Sequence, residues 1–313
     1  MLKALRRLTY RSGLSKLARI LGVSRFLRKW YYRVAVSRDC VFQVRVHSVV
    51  AKFSVRSPSE LRRLEGGIPR EDDFLRVLMS TLAPGDVFFD IGSDIGLFAI
   101  LLAKVVGEQG QVIAFEPESR AHKELEDNVS LNRLTNIRIY QKALGQENSK
   151  GRLALIGRAC SSLLPSVWEA RMATASVRES RREGVVDCSP VIASSTTAWE
   201  TVDIVEGDWL RESEALPIPR AVKIDVEGYE HFVLRGLKST LANPACELLC
   251  MEIHPGILPE KVNVDDLMDL VRSLGFTDLD VHLRQTEIHM IARKAPSRGL
   301  GFGGGQHRGV PST

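Results

Sequence analysis

The sequence predicts an α/β fold in which helices cover both faces of a mostly parallel β-sheet. The first observation is residues 87–98, where an apolar run ends at Asp90 and a loop with two glycines opens a helical pattern. The second is the order that follows, because strand-like and helix-like patterns alternate from there on. Parallel strands need such crossover helices, and ligands bind at the ends of the strands.

The loop after the first strand has the form D-x-G-x-x-x-G and contains Asp90, Gly92, Asp94 and Gly96. Glycine accepts positive φ values and lets a ligand approach the backbone. Two acidic side chains would repel a pyrophosphate, so a ligand with a cationic end is favoured. Glu116 ends the second strand, where a carboxylate can accept both hydroxyls of a ribose. S-adenosylmethionine (SAM) combines an ammonium, a sulfonium and a ribose, and is therefore the predicted cofactor.

The later elements follow from hydrophobic period and turn residues. Apolar runs predict strands at residues 111–115, 136–140, 221–225 and 247–253. Helical spacing predicts helices at residues 117–129, 200–210 and 264–274, and one that ends at Leu237. A hairpin is expected within residues 41–55, and a closing antiparallel hairpin at residues 276–283 and 288–292.

Breaks in this rhythm divide the chain into four predicted segments. They are a basic helical arm (1–35), a hairpin and lead-in (36–69), the α/β domain (70–295) and a disordered glycine-rich tail (296–313). Within the domain, residues 151–200 are expected to form a substrate-side insertion, because loops of that length are commonly functional or disordered.

The charge of the chain is concentrated in the arm. The net charge is +5, yet residues 1–35 carry ten Lys or Arg and no acid, which leaves −5 for the rest. A nucleic-acid partner is therefore not expected, because the core adds no basic block. Residues 1–32 show helical apolar spacing, which predicts either a peripheral membrane contact or a helix packed on its own domain.

Composition also bounds the location of the protein. No run of 18 apolar residues occurs, and the arm lacks the apolar stretch of a signal peptide. The chain has five cysteines, an odd number, and no C-x-x-C motif. This pattern favours reduced thiols and a cytoplasmic protein.

Three motifs in order resemble the FkbM-type SAM-dependent methyltransferases: DIGSDIG (90–96), AFEPE (114–118) and KIDVEGYE (223–230). The resemblance covers residues 70–293. It implies a class I methyltransferase fold, a Rossmann-like seven-stranded sheet whose last strand is antiparallel. It also implies SAM as methyl donor and a small-molecule hydroxyl, on a sugar or another metabolite, as acceptor. The family usually has DIGANIG, whereas this chain has Ser93 and Asp94 in that loop.

The resemblance also implies roles for individual residues. The cofactor-binding set, from the methionine end to the ribose and the adenine, is Asp90, Gly92, Asp94, Gly96, Glu116 and Ala143. Asp225 and Glu227 are implied to face the transferred methyl group and the acceptor.

Methyl transfer to a hydroxyl needs alignment and benefits from a base within hydrogen-bond reach. The predicted catalytic residues are Asp225, Glu227 and His254, with Glu230 and Glu252 as further candidates. Each has a structural alternative, since carboxylates also stabilise helix N-termini and a histidine can be a satisfied buried residue. The carboxylates could hold magnesium or calcium, but no metal is predicted.

Two other classes of protein compete with this interpretation. A nicotinamide-dependent oxidoreductase is disfavoured because G-x-G-x-x-G is absent and the loop is acidic. A non-catalytic SAM-binding protein is disfavoured by the presence of Asp90, Glu116 and Asp225. Methylation of nitrogen instead of oxygen stays open, as do the oligomeric state and the alternative that Ser161 and Ser162 contact the substrate or form a turn.

Overall fold

The computed structural model of the protein describes residues 40–56, 61, 64, 73–155, 161–163, 198–259, 262–284 and 287–295. The predicted arm (1–35), the glycine-rich tail (296–313) and most of the insertion (151–200) lie outside these residues. The predictions for those segments, including the membrane contact of residues 1–32, therefore stay predictions.

Thirteen strands are present in the described part of the chain. In order they are β1 (Cys40–Val46), β2 (Val49–Val55), β3 (Val87–Ile91), β4 (Gln111–Phe115), β5 (Ile137–Tyr140), β6 (Ala143–Gly145), β7 (Ser149–Leu155), β8 (Ser161–Leu163), β9 (Ala198–Glu206), β10 (Ala221–Ile224), β11 (Leu248–Ile253), β12 (Phe276–Arg284) and β13 (Glu287–Lys294). The continuous helices are α1 (73–81), α2 (Leu97–Val106), α3 (Ser119–Leu131), α4 (Gly207–Ser213), α5 (Glu230–Gly236), α6 (Lys238–Ala242) and α7 (Val264–Ser273).

Seven of these strands form the central sheet in the order β12-β13-β11-β10-β3-β4-β5. The pairs from β11 to β5 are parallel, whereas β13 runs antiparallel to both β11 and β12. This is the seven-stranded sheet with an antiparallel last strand that the sequence motifs implied, so the predicted fold class is confirmed.

The register of the central strands places the chemistry-bearing residues at one edge. Lys223 of β10 pairs with Asp90 of β3 on one side and with Cys250 of β11 on the other. The carboxyl ends of these three strands therefore lie side by side. The polar residues that follow them, including Asp225 and His254, meet at this edge.

Alternating side chains of the central strands supply two hydrophobic layers. Phe88 packs in the layer that contains α2 and the β1–β2 hairpin, whereas its neighbour Phe89 packs in the layer with α5 and α7. Successive residues of a strand point to opposite faces, so a short apolar strand can serve both layers.

The β1–β2 hairpin is antiparallel, as the sequence predicted, and is fastened to α3. The backbone N–H of Lys52 donates to Asn132 Oδ1 at 2.9 Å, and that of Ser54 donates to Asn128 Oδ1 at 2.8 Å. In the described part of the chain, no helix has the length and apolar character needed to cross a bilayer.

A second, four-stranded sheet has the order β6-β9-β7-β8, and the sequence did not predict it. The helix predicted at residues 200–210 is wrong over its first part, because β9 extends to Glu206 before α4 begins. Val202 and Ile204 are buried on one side of β9, which pairs with β6 and β7. Their β-branched side chains suit a half-buried strand, and pairing with distant strands decided the outcome.

Candidate active site

The loop between β3 and α2 is held close against the end of β10. Gly92, Asp94 and Gly96 have φ values of 79°, 49° and 89°. A Cβ on Gly92 would lie 1.8 Å from the backbone oxygen of Asp225, and a Cβ on Gly96 would lie 2.4 Å from Leu125 Cδ1. Position 92 therefore requires glycine for conformation and for space, whereas position 96 requires it mainly for its positive φ, because the Leu125 methyl group can shift.

Asp90 is fully buried at the end of β3 and stabilises the start of α2. The Ala99 N–H donates to its Oδ2 at 3.0 Å, which satisfies one of the free donors of the first helical turn. Burial raises the pKa of Asp90 to about 6. Its other oxygen, Oδ1, has no hydrogen-bond donor among the described residues.

Glu116 joins the glycine loop to the end of β4. The Asp94 N–H donates to its Oε2 at 2.8 Å, and the Glu118 N–H donates to its Oε1 at 2.9 Å. The side chain is buried, and this burial raises the pKa of Glu116 to about 8. The structure thus brings Asp90, Asp94 and Glu116 together around one loop.

Lys223 is a site residue for which the sequence analysis proposed no role. It is buried, and its Nζ lies 3.1 Å from the Gly92 oxygen and 3.2 Å from Asp225 Oδ2. Asp90 Oδ1 is 3.8 Å away, and the centroid of the Phe98 ring is 5.0 Å away. The sequence did contain a signal for this contact. Lys223 lies within an apolar run and Asp225 follows two residues later, and residues i and i+2 of a strand share a face.

A second group of polar residues surrounds His254, just beyond β11. Its Nδ1 lies 2.8 Å from Glu230 Oε1, whereas its Nε2 lies 3.4 Å from Glu227 Oε2 and 3.6 Å from Glu252 Oε1. Burial alone would lower the pKa of His254, but the hydrogen bonds and charges of these carboxylates raise it well above the usual value. These carboxylates therefore favour the protonated form of the His254 side chain.

This group continues into β13. His289 Nε2 lies 3.1 Å from Glu252 Oε2, and the His289 ring stacks on Phe74 at a centroid distance of 4.4 Å. Although burial raises the pKa of Glu252, its electrostatic interactions with His254 and His289 outweigh that effect and lower the pKa. Burial, with the charge of Glu252, raises the pKa of Glu287 to about 7. His289 lies beside Glu252 because the two residues are partners in the antiparallel pairing of β11 with β13. No local sequence pattern indicated this contact.

The predicted catalytic residues are brought together. Asp225, Glu227 and His254 each offer one donor atom, and the three atoms lie within 4.8 Å of one another. Ala143, by contrast, lies in β6 and packs in a small apolar cluster with Leu153. Its predicted contact with adenine stays a prediction, as does a substrate contact of the strand that carries Ser161 and Ser162.

The chain is similar to known methyltransferases. A family model described as the methyltransferase FkbM domain matches residues 90–277. The chain is 28% identical over 222 residues to the hexuronic acid methyltransferase AglP of Haloferax volcanii. The aligned region covers 69% of this chain and 76% of that protein. It is also 28% identical over 157 residues to methyltransferase 1 of Beauveria bassiana. That aligned region covers 49% of this chain and 59% of that protein.

Among solved structures, a SAM-dependent methyltransferase from Aquifex aeolicus matches with a TM-score of 0.40 and 12% identity. The match covers 76% of this chain and 99% of the Aquifex chain.

Proposed function

Because the chain belongs to the methyltransferase FkbM family, we propose that it methylates a hydroxyl group of a sugar or of another small hydroxylated metabolite. The family defines the class of enzyme, a SAM-dependent methyltransferase, and the methyl donor. We propose in addition the class of acceptor and the roles of individual residues.

The observation that carries the proposal is the contact between Gly92 and Asp225. A Cβ on Gly92 would lie 1.8 Å from the Asp225 backbone oxygen, so the cofactor loop and the carboxylate group after β10 are immediate neighbours. A methyl donor held by this loop is therefore next to acidic side chains that can accept a hydrogen bond from a hydroxyl. In-line transfer depends on this kind of proximity.

The residues around the loop fit SAM. Glu116 presents a carboxyl group at the end of β4, and ribose hydroxyls can donate to its ionised form. Asp90 Oδ1, which is buried and has no hydrogen-bond donor among the described residues, suits a cationic or donor group of the ligand. Asp94 adds a carboxylate beside the same loop. SAM, when bound, supplies an electrophilic methyl group on a sulfonium.

On the acceptor side, we assign to Asp225 the task of accepting the hydroxyl proton. Its side chain is partly exposed, whereas the His254 side chain is buried and its Nδ1 is held by Glu230. A base must reach the hydroxyl proton, which favours Asp225. Nε2 of His254 lies 3.4 Å from Glu227. Lys223 fixes the orientation of Asp225 through Oδ2.

A sugar acceptor is supported by the name of a relative, the hexuronic acid methyltransferase AglP of Haloferax volcanii. The test is methyl transfer from isotopically labelled SAM to hexuronic acids, neutral sugars and amino sugars, with NMR identification of the methylated atom. The proposal expects label on oxygen of at least one hydroxylated acceptor. Label on nitrogen alone would overturn the hydroxyl assignment and favour an N-methyltransferase.

A non-catalytic SAM-binding protein is the competing proposal. It would bind SAM without transferring label to any acceptor.

We further propose a cytoplasmic location, supported by Cys246 and Cys250, which are free and buried in the described structure. Cell fractionation with detection of the intact chain tests this location.

A further inference from the structure

We infer that Asp225, Glu227 and His254 together bind a divalent transition-metal ion with the chemistry of Mn²⁺ or Zn²⁺. Their three donor atoms lie within 4.8 Å of one another, close enough to contact one ion. An imidazole nitrogen together with carboxylate oxygens suits Mn²⁺ or Zn²⁺, whereas Mg²⁺ and Ca²⁺ prefer oxygen ligands alone. The sequence analysis predicted no metal, so this inference comes from the tertiary structure.

The two ring nitrogens of His254 have different surroundings. Nδ1 makes a hydrogen bond of ordinary length, 2.8 Å, with Glu230. Nε2 is 3.4 Å from Glu227 Oε2 and 3.6 Å from Glu252 Oε1, both longer than a normal N–H···O hydrogen bond. Two ligands at roughly 2.1 Å from one ion are separated by about 3.0 to 3.5 Å. The Nε2–Glu227 distance matches a pair of metal ligands better than a hydrogen bond.

Glu230 provides an independent observation. Its carboxylate is fully buried behind His254, accepts from His254 Nδ1 and from the Gly228 N–H at 2.9 Å, and keeps Oε2 buried without a hydrogen-bond partner in the described structure. A metal-binding histidine commonly donates its second ring N–H to such a carboxylate, which fixes the ring and directs the other nitrogen at the ion.

The charge of the surroundings also favours a cation. Carboxylates outnumber basic side chains here: the acids are Asp225, Glu227, Glu230, Glu252 and Glu287, and the bases are Lys223, His254 and His289. Uncompensated negative charge in a partly buried region is costly. A divalent ion at Nε2 would offset this charge.

A bound ion would extend the proposed function by assisting removal of the acceptor proton. Only this role of the ion, and not its binding, rests on the proposed function. An acceptor hydroxyl that coordinates a divalent cation loses its proton more easily. A bound ion would replace the proton on His254 Nε2 and would thereby assist proton removal from a hydroxyl next to Asp225.

The experiment titrates Mn²⁺ alone into the chelator-treated full-length protein and measures free Mn²⁺ by electron paramagnetic resonance. We expect one saturable site per chain. Glu227→Gln, whose side chain is partly exposed and need not disturb the core, should weaken Mn²⁺ binding roughly tenfold or more, as should His254→Gln. His282→Ala is the matched control, because this exposed histidine pairs with Asp280 and lies outside the group.

Four results would overturn the inference: no saturable Mn²⁺ binding, equal affinity in Glu227→Gln and the parent, loss of binding in Glu287→Gln alone, or displacement of Mn²⁺ by an equal concentration of Mg²⁺. The third would assign the ion to the neighbouring Glu252, Glu287 and His289 group instead. SAM titration in chelator tests the proposed function separately, since that binding needs no metal in our scheme. Circular dichroism of each variant confirms that it is folded.

Discussion

Lys223 and Asp225 form a 3.2 Å ion pair two residues apart, where β10 ends against the glycine loop. The same Nζ contacts the Gly92 backbone oxygen, and Asp90 Oδ1 lies 3.8 Å away. One buried cation therefore links the end of β3, the loop and the carboxylate of Asp225. Lys223 thus connects the proposed cofactor side of the site with its proposed acceptor side.

Lys223→Met should destabilise the protein by about 3–5 kcal/mol, because it leaves the charges of buried Asp90 and nearby Asp225 without their cation. Urea unfolding measures the loss. Lys150→Met, which removes an exposed pair with Asp203, is the control and should change little. Combining Lys223→Met with Asp225→Asn should cost less than the sum of the two. Strict additivity would contradict the coupling.

Gly92→Ala should abolish SAM binding, because its Cβ would overlap the Asp225 backbone oxygen. Gly85→Ala is a matched control: Gly85 also has a positive φ, 95°, but a Cβ there meets nothing within 4 Å. The control should lose about 1–2 kcal/mol of stability from backbone strain and still bind SAM. Calorimetric titration with SAM compares them. Equal SAM affinity in both variants would count against the loop assignment.

The affinity for SAM should rise between pH 6 and pH 9. Burial raises the pKa of Glu116 to about 8, so the free protein holds a proton there at lower pH. In the proposed function, ribose hydroxyls donate to the ionised carboxylate of Glu116, so SAM binding should release this proton. The affinity should increase up to roughly tenfold per pH unit below the pKa and level off above it.

The matched variant is Glu116→Gln, which should bind SAM weakly at every pH in this range. Calorimetry at pH 6 and pH 9, with the heat of buffer ionisation subtracted, measures both proteins. A flat pH profile in the parent protein, or a sloping one in Glu116→Gln, would show that another group is responsible.

Asp225→Asn should reduce kcat roughly a hundredfold or more while changing SAM affinity little, because the side chain is assigned to the acceptor proton. Glu214→Gln serves as a control, since Glu214 pairs with Arg138 on an exposed surface. The readout is labelled methyl transfer at saturating SAM, beside SAM titration. If the two quantities fell together, Asp225 would belong to the cofactor site.

Removal of residues 1–32 tests the predicted membrane contact of the basic arm. If the arm lies on anionic lipid, its deletion should abolish binding to vesicles that contain phosphatidylserine, and added salt should weaken binding of the full chain. Unchanged vesicle binding after deletion would leave the alternative, a helix packed on its own domain.

Much of the fold could be predicted because its signals are local. The strand–glycine–helix junction after Asp90, the acid that ends β4 and the closing hairpin each involve neighbouring residues. β9 was missed because its burial depends on pairing with β6 and β7. Asp225, Glu227 and His254 were named from strand ends, yet the buried carboxylate of Glu230 behind His254 required the folded chain.

The sequence by itself determined the class of sheet, the family motifs and which residue types stand at the carboxyl ends of the strands, since hydrophobic period and glycine turns are written in short segments. Only the tertiary structure decided the pairing of Glu252 with His289, the burial of Lys223 between two acids and the raised pKa of His254. Those properties depend on register between distant strands and on exclusion of water, which no local pattern encodes.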